Sequence, residues 1–222
     1  MRLTDLPGTG TRAARILSLI ADGVHVPCTD GIIVADGVTV GAGTTLLPGT
    51  ILGNGVTIGA NCVIGPGSVL EDTQIGDDVE LLQTYAEGAI IESGARVGPF
   101  ARLRPGAHVG LGCKVGNFVE IKNSLVGAGS RVPHLSYIGD TDMGTGCNIG
   151  CGCQTANYDG RRKHRTRLGD SCFIGCDTTL VAPVALGNSA YIAAGSVVTQ
   201  DVPPAALVIA RARQVTKSEG RG

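Results

Sequence analysis

The chain has 222 residues and a formal net charge of −1, a balance that excludes a global basic field for nucleic acid or anionic lipid. It is 43% hydrophobic but only 3% aromatic, with no Trp, and its 35 Gly are about twice the usual share of roughly 7%. Such a composition needs a narrow core of Val, Ile, Leu and Ala rather than the aromatic-rich core of an ordinary two-layer domain.

No apolar run is long enough to span a bilayer. Residues 1–10 lack the charged start and apolar stretch of a signal peptide, so a cytoplasmic location with no membrane partner is expected. Residues 1–36 read as a helical and linker segment, with a short helix from Thr11 to Asp22 carrying Ala14, Leu17 and Ile20 at helical spacing.

From residue 37 to residue 200 an aliphatic residue returns every six positions. It runs through Val40, Leu46, Leu52, Ile58 and Ile64, then Leu70, Ile75 and Leu81 after one five-residue step. It resumes at Val97, Leu103, Val109, Val115, Ile121, Val126, Val132, Ile138, Met143 and Ile149, and again at Leu168, Ile174, Leu180, Leu186 and Ile192. Gly often follows it (Gly41, Gly53, Gly59, Gly98, Gly116), and the fifth position is small (Thr44, Thr50, Cys62, Ser68, Ala101, Ser196). This is the pattern of a triangular solenoid in which each hexad gives one short strand and one corner, and both positions face inward. Roughly eight or nine coils of about 18 residues are expected. Residues 201–222 read as a C-terminal arm whose end is disordered.

The period breaks at 155–167, where a basic loop (Tyr158-Asp159-Gly160-Arg161-Arg162-Lys163-His164) projects from a corner. Loops standing off a rigid scaffold commonly carry function. His134 falls on a third hexad position and faces outward; Arg104 and Lys122 each follow an inward aliphatic residue on neighbouring coils, and Tyr137 and Asn148 lie on the coils after. The clustered Cys147, Cys151, Cys153, Cys172 and Cys176 raise the possibility of zinc. But Cys62, Cys113, Cys147, Cys153 and Cys172 all occupy the small fifth position, which favours packing, so no metal is expected.

Residues 97–213 closely resemble the acetyltransferase half of the bacterial bifunctional N-acetylglucosamine-1-phosphate uridylyltransferase/glucosamine-1-phosphate N-acetyltransferase. The runs that carry the resemblance are VGPFARLRPG (97–106), VGNFVEIK (115–122), HLSYIGD (134–140), NIG (148–150), NYDG (157–160), APV (182–184) and ARAR (210–213). The resemblance implies a left-handed parallel β-helix and a homotrimer with sites between subunits, the Ala156–Arg167 loop, Lys163 included, serving a neighbour. It implies His134 as catalytic base, Arg104, Lys122, Tyr137, Asn148 and Lys163 as holders of an amino-sugar phosphate, and acetyl-CoA as donor. Asn157, Tyr158, Cys176, Ala194 and Arg211 would hold the donor, with Cys151 nearby; Cys151 and Cys176 depart from the family's usual Ala and Ser. The nucleotidyltransferase half is absent from the match and the Gly8–Arg12 run is not its glycine loop, so no uridylyl transfer is expected. Alternatives are an acetyltransferase for another amino sugar or sugar nucleotide, or a non-catalytic trimeric scaffold. A zinc enzyme with three His on this fold is disfavoured because His108 and His134 lack that spacing.

Overall fold

The computed structural model describes residues 9–218. One helix, α1 (Thr9–Ala21), leads into a three-sided parallel β-solenoid, the architecture expected of a left-handed β-helix. Three sheets of ten, nine and ten short strands form its faces, and successive strands of the chain fall on successive faces. The first face begins with Ile33–Val34, the second with Thr39–Val40 and the third with Thr45–Leu46. Among the described residues no helix is long and apolar enough to cross a membrane.

The two inward positions of each hexad build most of the core, with Ile16, Leu19 and Val24 added at the N-terminal end. The aliphatic series from Leu46 to Val198 is buried, as are the fifth-position residues that precede it by two. The five Cys in the fifth position are buried, and each thiol donates to the carbonyl of a glycine on the next coil. Cys62 bonds Gly76 O, Cys113 bonds Gly127 O, Cys147 bonds Gly169 O and Cys153 bonds Gly175 O, each at 3.1 Å; Cys172 bonds Gly187 O at 3.3 Å. Thr44 and Ser130 make the same bond to Gly59 and Gly144. The slot therefore selects small side chains that either fill space or cap a corner carbonyl.

Coil length varies, and this explains the gap in the sequence pattern between Leu81 and Val97. Ile75 pairs with Ile91, 16 positions on, whereas Ile91 pairs with Val109, 18 positions on. Ala86 and Ile91 fill the inward slots across that stretch, each after a five-residue step.

Two boundaries and the packing face of the helix differ from the sequence expectation. The solenoid begins before residue 37: Ile33–Val34 pairs with Ile51–Leu52, and His25 bridges Thr45. It also continues past 200, because Val202 bridges Leu186 and Leu207–Val208 pairs with Tyr191–Ile192; only the chain after that strand is an arm. On α1 the stripe that packs is Ile16 and Leu19, not Leu17 and Ile20, which are exposed. The helix stops where Gly23 takes φ +89°, with Val24 N–H bonded to Leu19 O and Gly23 N–H to Ile20 O, the paired bonds of a glycine C-terminal cap. The expected disorder of the extreme C-terminus concerns residues 219–222, outside the described residues.

Candidate active site

The first face is bounded by two corners that carry most of the candidate residues. At the corner leading from the third face, His134 ends the strand Arg131–His134 and stands one coil beyond Asn117, with which it pairs in register. Its Nδ1 lies 2.8 Å from Asn117 Oδ1. An amide oxygen only accepts, so this contact places the ring proton on Nδ1 and leaves Nε2 as the free acceptor. Around the exposed imidazole lie Gly98, Pro99, Phe100, Lys114, Phe118 and Pro133. Phe100 and Phe118 stack with ring centroids 5.5 Å apart. Both turn this corner with positive φ, as does Leu135, an unusual backbone for bulky residues. Gly116 is required by close approach: a Cβ there would meet the Pro133 carbonyl oxygen at 1.8 Å.

The same corner continues toward the C-terminus as a column of backbone and small side chains. Gly152 N–H bonds Leu135 O, Asp177 N–H bonds Cys151 O and Gly195 N–H bonds Cys176 O. Cys151, Cys176 and Ala194 thus succeed one another coil by coil beyond His134. Arg211 closes the column: a Cβ on Gly195 would stand 3.4 Å from Arg211 Cδ. Cys176 is exposed and Cys151 partly so, unlike the five core thiols.

At the other corner, leading to the second face, Arg104 and Lys122 follow the inward Leu103 and Ile121, which pair in register. Arg104 Nη1 donates to Glu120 Oε1 at 2.8 Å. Lys122 Nζ is 3.5 Å from Asp140 Oδ2. Asp140 is 4% exposed and turns the corner with φ +49°. Its two oxygens also accept from Asn123 Nδ2 and Asn157 Nδ2, and together these partners hold its carboxyl below the usual range against the opposing effect of burial. Asn157 Nδ2 further reaches the Tyr137 hydroxyl at 3.4 Å. Tyr137 lies across Gly139, where any Cβ would meet its hydroxyl oxygen at 2.4 Å.

The projecting loop is a compact hairpin inserted into a ladder that closes around it. Thr141 pairs with Thr166, 25 positions on, where Val126 pairs with Met143 after 17. The insertion is narrower than the sequence break: Thr155 keeps the inward slot, and residues 157–165 form the loop. Asp159 ties the hairpin by accepting from the N–H groups of Arg161 and Arg162, both at 2.8 Å, and by pairing with His164 Nε2 at 2.7 Å. These contacts push its carboxyl well below the ordinary range. Arg165 anchors the base through a two-pronged contact with Asp142. Lys163, in this hairpin, is held below the ordinary lysine value by the nearby Lys122. Tyr158 points outward and is 60% exposed.

One chain therefore groups Arg104, Lys122, Tyr137, Asn157 and Lys163 at one corner and His134, Cys151, Cys176, Ala194 and Arg211 along the other. Asn148 joins neither group: it sits on the third face, in register with Arg131 and Phe173. Asn157, expected to hold the donor, is bound on the Lys122 side, through Asp140. Sequence reasoning missed Asp140, Asn117 and Glu120. Each stands on the coil next to a named candidate, but coils of 16, 17 or 18 residues hide that adjacency in the linear sequence.

Comparison with known proteins bears on this arrangement. The description "Bacterial transferase hexapeptide (six repeats)" matches residues 31–66, and "Hexapeptide repeat of succinyl-transferase" matches residues 165–200. Each match covers one short stretch of the solenoid. It is 50% identical over 146 residues to the bifunctional protein GlmU of Acidithiobacillus ferrooxidans, which covers 65% of this chain and 32% of that protein. The corresponding protein of Brevibacillus brevis is 48% identical over 146 residues, with 66% and 32% covered. The chain thus spans about a third of the length of the curated relatives it matches. Among solved structures, the Arabidopsis UDP-N-acetylglucosamine acyltransferase superposes with a TM-score of 0.52 over 83% of this chain and 67% of that one, at 16% identity, a likeness of fold alone.

Proposed function

We propose that the chain is an acetyl-CoA-dependent N-acetyltransferase acting on glucosamine 1-phosphate. The observation that carries this reading is His134, held by Asn117 with Nε2 free, at the head of a backbone-lined column and at the edge of the face that ends in Lys122 and Arg104. The 50% identity to a bifunctional protein over 146 residues supports it.

In this mechanism the donor lies along the Cys151–Cys176–Ala194 column. Cys176, if it faces the donor, offers a thiol where a hydroxyl would bond more strongly. The donor's phosphates meet Arg211, and its thioester reaches His134. The sugar lies on the first face beside Tyr137, with its phosphate toward Lys122, Lys163 and Arg104. His134 Nε2 takes a proton from the amine as the nitrogen attacks the thioester carbon. The tetrahedral oxyanion collapses, the C–S bond breaks, and the departing thiolate takes the proton from His134, giving the amide and free CoA.

The same reading makes the active form a homotrimer in the cytoplasm. Tyr158 stands at the corner opposite the donor column, so it reaches a donor only when the loop of a second copy is laid against that column. A thiol-release assay with acetyl-CoA and a panel of amino-sugar phosphates tests the activity. Turnover of glucosamine 1-phosphate is expected, and CoA release with a different amine alone would overturn the acceptor assignment. Sedimentation of a fully active monomer would overturn the shared site.

A further inference from the structure

The corner that carries His134 also carries a nucleophile that the transfer chemistry does not use. Asn117 pairs in register with His134, and Arg131 pairs with Asn148. Three residues on from that second pair, His134 and Cys151 occupy the same position on neighbouring coils, and just beyond them Gly152 N–H bonds Leu135 O at 3.1 Å. Neighbouring strands of a sheet lie about 4.8 Å apart. Asn117, His134 and Cys151 therefore follow one another along the corner, coil by coil. His134 sends Nδ1 back to Asn117 Oδ1 at 2.8 Å. The two ring nitrogens of an imidazole point nearly opposite ways, so Nε2 is turned toward the coil of Cys151. The thiol there differs from the five core thiols. Those are buried and donate to glycine carbonyls, whereas Cys151 is partly exposed. A thiol beside a base that is itself oriented by a third group is the arrangement of an activated nucleophile.

We propose that Cys151 is an acyl-acceptor site: with His134 as its base, it takes the acetyl group from a thioester donor when no amine is present. The inference rests on the proposed function only for the donor and for His134 as base; the amino-sugar phosphate plays no part in it. His134 Nε2 takes the proton of the Cys151 thiol. The sulfur adds to the thioester carbon, the bond from that carbon to the CoA sulfur breaks, and the CoA thiolate leaves with the proton from His134. One thioester is exchanged for another, so the step needs no oxidant, reductant or metal, and excess free CoA reverses it.

Position separates Cys151 from the other accessible thiol of this column. Cys176 follows on the next coil, with Asp177 N–H bonded to Cys151 O at 2.8 Å, and it is the more exposed of the two. It stands two coils from the imidazole, about 10 Å at the strand spacing, which is beyond direct proton transfer. Exposure alone would make Cys176 the faster thiol; the neighbouring base makes it Cys151. An alanine at 151 fits the corner, because Ala194 occupies the same column on a later coil.

The test incubates the full chain with acetyl-CoA and no amine, and locates acetylated residues by peptide mass spectrometry. Cys151 is expected to carry one acetyl group, removed by neutral hydroxylamine or by excess CoA, and to be labelled on the order of tenfold faster than Cys176. His134→Ala, at an exposed position, should slow the labelling of Cys151 by on the order of 10²-fold. Cys151→Ala should abolish the release of CoA that accompanies it. Equal labelling of Cys151 and Cys176, or an unchanged rate in His134→Ala, would assign the reaction to exposure alone and overturn the proposal. A second probe, the short thioester S-acetyl-N-acetylcysteamine, separates this inference from the proposed function, since it lacks the nucleotide of CoA. Label from the short thioester and none from acetyl-CoA would remove the CoA donor and leave the acyl-acceptor site standing. Label from neither would overturn the site, even in a protein that acetylates glucosamine 1-phosphate at full rate.

Discussion

At the corner where the third face meets the first, the chain presents glycine, bare backbone, small thiols and stacked Phe100 and Phe118; where the first face meets the second, it presents Lys122, Asn123, Asp140 and Asn157. Both corners obey one hexad rule, with the same inward pair and the same backbone bonds between coils. They differ in what fixes the outward residue. The His134 corner is shaped by backbone and by ring stacking, which do not change with pH. The Lys122 corner is shaped by a single buried carboxylate, and its geometry depends on charge.

The largest test of this contrast is His134→Ala. It removes the only group assigned to move a proton and should lower kcat by on the order of 10²–10⁴ while the melting temperature stays near that of the wild type. Turnover near the wild-type rate would take the base away from this corner. Next is Gly116→Ala. The added methyl runs into Pro133 O, with no flexible side chain to yield, and should cost about 2–4 kcal/mol in a urea melt. An unchanged midpoint would mean that the corner is softer than its backbone contacts imply.

Asn117→Ala probes orientation alone. Losing the Nδ1 contact should lower kcat about tenfold and leave both KM values near normal. A matching loss in Asn117→Asp would argue against simple orientation, because a carboxylate also accepts from Nδ1–H. The smallest effect is expected from Cys113→Ser. The hydroxyl can donate to Gly127 O as the thiol does, so stability should change by less than about 1 kcal/mol. A severe loss would point to a packing demand that sulfur alone meets.

The solenoid was largely legible in the sequence because its core is periodic: inward aliphatics and fifth-position Cys fall where the hexads place them. The period lost its signal at Ala86, too small to register as an aliphatic, and at Thr155, which holds an inward slot with a hydroxyl bonded to Gly139. The helix face was misread because Ile16 and Leu17 are neighbours of equal hydrophobicity, and only contact with the first coil decides between them. The named site residues were visible through resemblance, but their grouping was not. The partnership of Asn117 with His134, and of Asp140 with Lys122, spans 17 residues in one case and 18 in the other, and no local motif announces it.

The 25-residue coil has a consequence for how such a chain can change over evolutionary time. Thr141 meets Thr166 in register although the hairpin intervenes, so the ladder is closed without it, and lengthening a surface loop costs little chain entropy. The hairpin behaves like an exchangeable cassette: its residues can be lengthened, shortened or rewritten while every coil beneath keeps its place. Lys163 and Tyr158 both ride on that cassette, so ligand preference can drift by rewriting nine residues of a scaffold whose other coils stay unaltered.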